Sequence, residues 1–508
     1  MIKFFLRITF FFSLLVFIFL SYLSLFGLET NKFNNQIRSN IKKIDNKFDV
    51  KLNKVKLVLN PFKLTINAKT IGPTILYGNK TLELETIKTD IPLKSLFNKK
   101  ISTSNVSISS KSIKIKELLS FSRTIKNKPE LFLLDKIINS GYIIADIDLK
   151  FDKTGKILNN FKLKGLIKDA SINLLNQDKI ENINFIFNSQ DKLIDIKSLN
   201  FDFKDIGFKS DKISIKDLDK IIEIKGILQN DLVDLSNKKN IDSFNSFLNT
   251  DIEKINFSSK SQFFLSITKK FKIKSFNIDS FFDIKELSIK NLLEVKSFFP
   301  EKREFLNLKD HKVNFKFSQN DLKLNGEGKI FLQKESDEVK YNLTKLDNKY
   351  IFKSLLNLKN NLVDLQFLNF KKEKNSDASL EITGLYRNSK DLEFDHIILI
   401  NEENKFEIKN LTLNENFKIT NIDSVELDFE DLEKQKNYIE LRKTSNSYEV
   451  KSKYFNANKL IDDLLINDNP NKLDIFNENI NVNIKFDRVL IDSFNSFLNT
   501  DIEKINFS

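Results

Sequence analysis

His311 and His396 are the only two imidazoles in 508 residues, and the chain has no cysteine. The histidines stand 85 residues apart, and no carboxylate cluster beside either marks it as a metal ligand. Both read as structural or surface side chains. Without a thiol there is neither a thiolate nucleophile nor a disulfide framework. Eleven glycines and six prolines leave no Gly-rich loop to cradle a phosphate. No paired-carboxylate signature offers general acid–base work. The expectation is a protein that is not an enzyme, with no catalytic residue, cofactor or metal. What recurs instead is apolar: Phe, Ile, Leu and Val at regular spacing, whose chemistry is partition away from water.

Two kinds of element must position those side chains. The first is the run Ile8 to Leu28, which carries no charge. At about 1.5 Å per residue its 21 positions span roughly 30 Å, the thickness of a bilayer's hydrocarbon core. It exceeds the 7–15 residues usual for a signal-peptide core, and no small-x-small cleavage site follows, so it reads as a retained single anchor. Lys3, Arg7 and the α-amino group precede it; Lys32, Arg38, Lys42 and Lys43 follow. That count by itself favours a cytoplasmic bulk, but long domains translocate largely regardless of charge, so charge leaves the orientation open. Next, Phe33, Ile37, Ile41, Ile44 and Phe48 form one stripe of an amphipathic helix over about 31–47, expected to cap the end of a sheet.

From Lys51 the apolar period changes from about 3.6 to 2, the mark of half-buried strands. In YIIADIDLKF, Ile143, Ala145, Ile147, Leu149 and Phe151 point one way, while Asp146, Asp148 and Lys150 point the other. DKTGK (152–156) supplies a turn. The same alternation carries Ile183, Phe185 and Phe187, then Phe201 and Phe203. It continues in Val313, Phe315 and Phe317, in Leu322 and Leu324, and in Val482, Ile484 and Phe486. Short Asn, Asp and Lys breaks suit antiparallel meanders. Short helices are expected at 116–125, 131–141 and 457–465. About 30 strands over residues 49–508 would stack to a sheet on the order of 140 Å long. A sheet with one apolar face needs a second layer, and few helices are available. Either the sheet packs on itself as a sandwich or solenoid, or something other than protein covers it; acyl chains would serve.

Basicity is uneven: residues 1–130 hold 23 Lys and Arg against 8 Asp and Glu, the remainder 59 against 61. Lys and Arg beside an anionic leaflet contribute about 1 kcal/mol each, so the segment next to the anchor reads as a membrane-hugging base. No nucleic-acid reader motif accompanies it. One feature concerns the chain's record: IDSFNSFLNTDIEKINFS occurs at 241–258 and again, letter for letter, at 491–508. Its sharp edges differ from those of an old repeat, and the expectation is an assembly or fragment artefact, with Ser508 not the natural end.

The segments VKLVLNPFKLTINAKTIGPTI (55–75), LELETIKTDIPLKSLFNKK (82–100) and ISTSNVSISSKSIKIKELLSF (101–121) carry a resemblance. An anchor helix precedes a strand with a central Pro61-Phe62, a second hairpin leads to Pro92, Leu93, Ser95 and Leu96, and a strand with Val106, Ile108, Ile113 and Ile115 follows. This pattern resembles the N-terminal part of the bacterial AsmA-like family, the group that includes TamB and YhdP. Ser110-Lys111 stand where that family often has Pro. The likeness covers about residues 1–130 and is only architectural beyond.

The resemblance implies a fold like that of chorein-type bridge lipid transfer proteins. It would be mainly β, with an N-terminal transmembrane helix, then a long, twisted antiparallel β-sheet forming an elongated open groove, and few short helices. It implies a cytoplasmic tail and anchor over 1–28, an AsmA-like N-terminal region over 29–130 and a β-groove region over 131–508. It further implies an inner-membrane protein with its bulk in the periplasm, moving phospholipid toward the outer membrane. Its partners would be phospholipids, the inner membrane and outer-membrane components, with no nucleic acid. The alternating side chains named above, Ile143 to Phe486, then become the candidate lipid groove. The alternative is a structural or chaperone-like periplasmic β protein with a closed dry core, assisting outer-membrane assembly.

Overall fold

An apolar run can leave water only if its backbone polar groups bond to one another, and a helix achieves this within the run itself. In the computed structural model Ile2–Leu25 is such a helix, α1. It is long and apolar enough to cross a membrane, and none of its apolar stretch is buried against the rest of the chain. It ends three residues before the apolar run does. The amide N–H groups of Phe26 and Gly27 both donate to Tyr22 O, and Gly27 takes the left-handed conformation (φ 73°) of a helix C-cap. A Cβ on Gly27 would stand 2.5 Å from Leu57 O, so glycine is required there. Leu28–Thr30 is already a strand, with Leu28 paired to Leu57.

The structure describes the chain apart from residues 1, 33, 45, 95–104, 153–157, 159, 175–177, 237–240, 243–244, 246–250, 271, 291–297, 302, 320, 388–391, 446, 460, 462–479, 493–494 and 508. The expected turn at 153–156, most of the expected helix at 457–465, and Phe33 of the amphipathic stripe lie outside the described residues. The fold is mainly β: a long antiparallel sheet that is not closed into a barrel. It divides into two compact units, residues 1–228 with 264–274, and residues 229–263 with 275–508.

In the first unit, successive antiparallel neighbours are Leu28–Thr30, Val55–Asn60, Thr65–Ile71, Lys80–Pro92, Asn105–Ser110, Ile138–Lys150, Lys162–Asn173, Lys179–Gln190, Leu193–Phe203 and Ile206–Leu218. The amphipathic segment is α2 (Asn34–Ile44), packed against the strand Phe48–Lys51 and tied to it by the Arg38–Asp49 ion pair. Ile37 and Ile41 of its stripe are half-buried. Two more helices follow, α3 (Ile115–Ile125) and α4 (Pro129–Ile137). Leu119 of α3 and Leu131 of α4 cluster with Ala170, Ile143 and Ile167, closing one end of the sheet. The second helix is shorter than its sequence suggests, because residues 138–141 join the strand Ile138–Lys150. At Gly141 (φ 126°) a Cβ would meet Ala170 Cα at 2.6 Å; the glycine marks a close approach of strands instead of a helix end.

Period 2 is broken at defined places. Asp169, Asn182 and Ser198, on three consecutive strands, all have φ near 50°, the region short polar side chains enter most readily among non-glycines. The strand registers shift beside Asp169 and Asn182, as β-bulges require. Their polar groups interlock: Asn184 Oδ1 accepts the Asp169 N–H at 3.0 Å, and Asn182 Nδ2 donates to Asp202 Oδ2 at 2.6 Å.

The second unit is itself a meander, of Ile273–Lys290 (from Ser275), Phe305–Ser318, Asp321–Phe331, Asp337–Leu346, Lys349–Asn357, Ala378–Arg387, Leu392–Asn401, Asn404–Leu413, Ser424–Glu430, Lys436–Lys443 and Tyr448–Asn456. One pairing departs from the expected antiparallel plan: Tyr448–Asn456 pairs parallel with Ile480–Leu490, which then pairs antiparallel with Ser496–Phe507. Between Asn357 and Ala378 the chain leaves the sheet to form a small hairpin, Val363–Leu365 with Phe370–Lys372.

Candidate functional site

Residues directly opposite in a ladder share a face, as do residues two apart, so the registers define the apolar face row by row. In the first unit Ile147 lies between Ile108 and Leu163, and Ile143 between Ile113 and Ile167. Leu149 pairs with Val106, Phe185 with Ile167, and Phe187 with Gly165 and Ile196. Phe201 stacks on Phe208 at 5.4 Å, and Phe203 lies between Ile180 and Ile206. Phe151 is half-buried just past the end of its strand. In the second unit Val313 lies between Phe282 and Gly326, Phe315 opposite Leu324, and Phe317 between Ile278 and Leu322. Val482, Ile484 and Phe486 face Tyr448, Val450 and Ser452. Phe187, Val313 and Val482 are buried; the other named candidates are half-buried.

The second unit holds a long apolar row. It runs Phe282, Val313, Gly326, Tyr341, Ser354, Ile382 and Ile397, each opposite the next. It goes on through Ile408, Val425, Leu441, Val450, Ile484 and Ile502. Thirteen strands contribute and none contributes a charge. A second row, Phe315, Leu324, Leu343, Phe352, Gly384, Phe394 and Leu411, lies beside it, two residues (about 7 Å) along each of the first five strands and three along the last two, past the register shift. The rows have edges. On one side Val339, Leu356, Leu399 and Phe406 are buried beneath the small hairpin, whose Phe370 ring meets Phe406 at 4.7 Å. On the other the charge returns at Lys345, whose Nζ sits 5.1 Å from the Tyr350 ring centre.

The small hairpin is fixed by a buried polar cluster. Lys372, 1% exposed, donates from Nζ to the carbonyls of Lys359 and Asn361, both at 2.8 Å. Burial pushes its ammonium below the ordinary lysine range. Asn361 Nδ2 donates to the buried Asp337 at 2.7 Å, and Gln333 Nε2 to Leu362 O at 2.7 Å.

The two histidines fall on different faces. His311 is fully buried on the apolar side; its Nδ1 is 3.1 Å from Tyr341 Oη and its Nε2 2.9 Å from Lys329 O. Burial lowers its pKa. His396 lies on the opposite face, 2.6 Å from Glu407 Oε1. There Lys405, at 2.8 Å, is the chief cause that holds the Glu407 carboxyl down to about 2, with His396 and Lys409 adding to it. That face is wet and charged, with cross-strand pairs such as Lys316–Asp279 and Lys340–Glu327. Among the described residues no group of three or more His, Asp and Glu could hold a metal ion.

Reading alternation alone missed the centre of the long row, Ile382 to Val450. HIILI (396–400) is apolar on both faces, and a register shift beside Phe394 sends His396 outward. Asn410 (φ 50°) takes up the same shift on the next strand, where the ladder passes from Lys409 to Leu411. Neither a protein-family model, a curated protein nor a solved structure matches the chain.

Proposed function

We propose that this protein carries phospholipid acyl chains along the apolar face of its sheet, anchored by α1 in a bacterial inner membrane with its bulk in the periplasm, as an AsmA-like lipid transfer protein. The observation that supports this reading is the uncharged thirteen-strand row. With strands about 4.8 Å apart it is on the order of 58 Å long, a half-exposed strip far longer than the scattered apolar side chains of an ordinary surface. Transfer needs no reacting group. Each methylene moved into water costs about 0.8 kcal/mol, so releasing a diacyl lipid costs tens of kcal/mol. A continuous strip lets chains slide without that release while headgroups stay hydrated at the edge. The helix, whose apolar stretch is unburied by the rest of the chain, suits the anchor, and the basic first 130 residues suit an anionic leaflet.

The competing reading, a structural or chaperone-like protein with a dry core, draws on the hairpin that already covers Leu356, Leu399 and Phe406. A photo-crosslinking residue at Phe315 or Ile397 separates the two. Lipid transfer predicts acyl adducts at both positions in cells, and bound phospholipid in the mass spectrum of protein purified without detergent. No adduct at either position, together with lipid-free protein, would refute it.

A further inference from the structure

The turn joining Val55–Asn60 to Thr65–Ile71 puts apolar side chains where only solvent meets them. Phe62 is 98% exposed and Leu64 64%. Neither hangs from a loose loop. The Lys63 N–H donates to Asn60 Oδ1 at 3.1 Å, Pro61 fixes its own φ, and the Leu93 N–H donates to Leu64 O at 2.9 Å. Leu64 holds φ 51°, a conformation glycine or asparagine adopts with less strain. A turn needed only to close the hairpin would carry one of those at 64 and a polar residue at 62.

The ladder locates this turn relative to α1. Leu28 pairs with Leu57 and Thr30 with Val55, antiparallel. From Leu57 onward the strand therefore runs back past Gly27, where a Cβ would meet Leu57 O and Val58 Cγ2, toward the end of α1 that packs on it. Three strand steps at about 3.3 Å carry Asn60 on the order of 10 Å beyond Leu57 in that direction, with Phe62 in the turn just past it. Around the same helix end Leu25, Phe26 and Leu28 are also exposed. Lys63 and Lys94, both exposed, flank the turn; long lysine stems lie along apolar surface while the ammonium reaches phosphate.

We propose that the turn at residues 60–64 is a second membrane contact, sunk into the leaflet at the C-terminal end of α1, with the lipid bilayer as its partner. The proposal rests on α1 being a membrane anchor. A lone helix leaves the sheet free to spin about the helix axis; a helix and a wedge together fix its rotation. The first strands of the apolar face are then held against the lipid surface where acyl chains would leave it.

The chain contains no tryptophan, so a single introduced one reports only its own surroundings. Full-length Phe62→Trp, Phe17→Trp and Lys316→Trp are reconstituted in phosphatidylethanolamine–phosphatidylglycerol vesicles, with and without acyl-brominated lipid. The expected result is at least twofold bromine quenching and a blue-shifted emission at 62 and at 17, with quenching at 316 by aqueous iodide only. Iodide but not bromine quenching at 62, with bromine quenching intact at 17, overturns the wedge and leaves the anchor standing. Loss of bromine quenching at 17 as well overturns both.

Discussion

Rings laid over glycines set the height of the apolar floor. A Cβ at Gly165 would meet the Phe187 ring at 2.8 Å, at Gly326 the Tyr341 ring at 2.3 Å, and at Gly328 the His311 ring at 2.4 Å. Each aromatic side chain lies down over its neighbouring strand and keeps its contact area without standing into the strip. At Gly384, as at Gly165 with Ile144 O at 2.2 Å, the nearest obstruction is backbone, Glu393 O at 2.3 Å, which cannot swing aside. Gly384→Ala should therefore lose about 1–3 kcal/mol in urea unfolding, whereas Gly207→Ala, whose nearest neighbour is Asp202 Oδ1 at 3.5 Å, should change stability by less than about 0.5 kcal/mol. Equal effects would mean the floor yields freely. His311 allows a pH test. Burial depresses its folded pKa, so between that value and the unfolded value of about 6.5 the unfolded chain binds more protons. Its contribution is complete above about pH 6.5 and is lost as pH falls through the folded pKa. His311→Phe keeps a ring over Gly328 but unpairs Lys329 O and Tyr341 Oη, for a loss of about 1–3 kcal/mol at pH 7.5. The variant should lose less further stability on going to pH 5.5 than the parent does, and matching slopes would remove His311 from the account.

Among the elements, the small hairpin between Asn357 and Ala378 decides how much of the apolar face is free. Its two ends are adjacent: the Leu358 N–H donates to Ala378 O at 2.8 Å, and Lys359 pairs with Asp377 at 3.1 Å. Replacing residues 360–375 by Asn-Gly should leave a plain hairpin with its β circular dichroism retained and uncover Val339, Leu356, Leu399 and Phe406. A photo-crosslinker at Phe406 should then give acyl adducts that the intact chain does not, and adducts at Phe406 in the intact chain would mean the hairpin is no cover. The sequence announces such elements unequally. The N-terminal apolar helix, the α2 stripe and the stretches around Ile147, Phe187 and Phe315 are legible because one periodicity runs unbroken through each stretch. The covering hairpin is not, since VDLQFLNFKK (363–372) has the look of another strand pair, and no local pattern says that it leaves the sheet. Bulges at Asp169, Asn182 and Ser198 are equally silent, because an Asp or Asn held in the left-handed region is spelled like any exposed one. The parallel pairing of Tyr448–Asn456 with Ile480–Leu490 is a long-range choice that alternation does not encode. Of the candidate strip, its ends at Val313 and Ile484 could be read; its middle, where both faces are apolar, could not.

For the molecule as a whole, transfer along a strip is only as good as its weakest strand. That separates a conduit from a core, in which one substitution acts through stability alone. Ile397 sits midway along the thirteen-strand row and is half-buried, whereas Ile400, three residues on in the same strand, is 42% exposed on the opposite face. A carboxylate at 397 brings its hydration shell onto the strip. If it lifts only two acyl methylenes into water, the added barrier is about 1.6 kcal/mol, more than a tenfold slowing. Ile397→Asp should therefore reduce phospholipid transfer between vesicles by at least tenfold, while Ile400→Asp leaves it unchanged, both with melting temperatures near the parent's. Leu399→Asp is the contrasting case: it lies beneath the hairpin at 9% exposure, and an unpaired buried charge there should unfold the unit instead of blocking a path. Parent-like transfer by a folded Ile397→Asp protein would show that acyl chains do not travel along this row. A tenfold loss confined to 397 among folded variants would locate the path on one face of one strand.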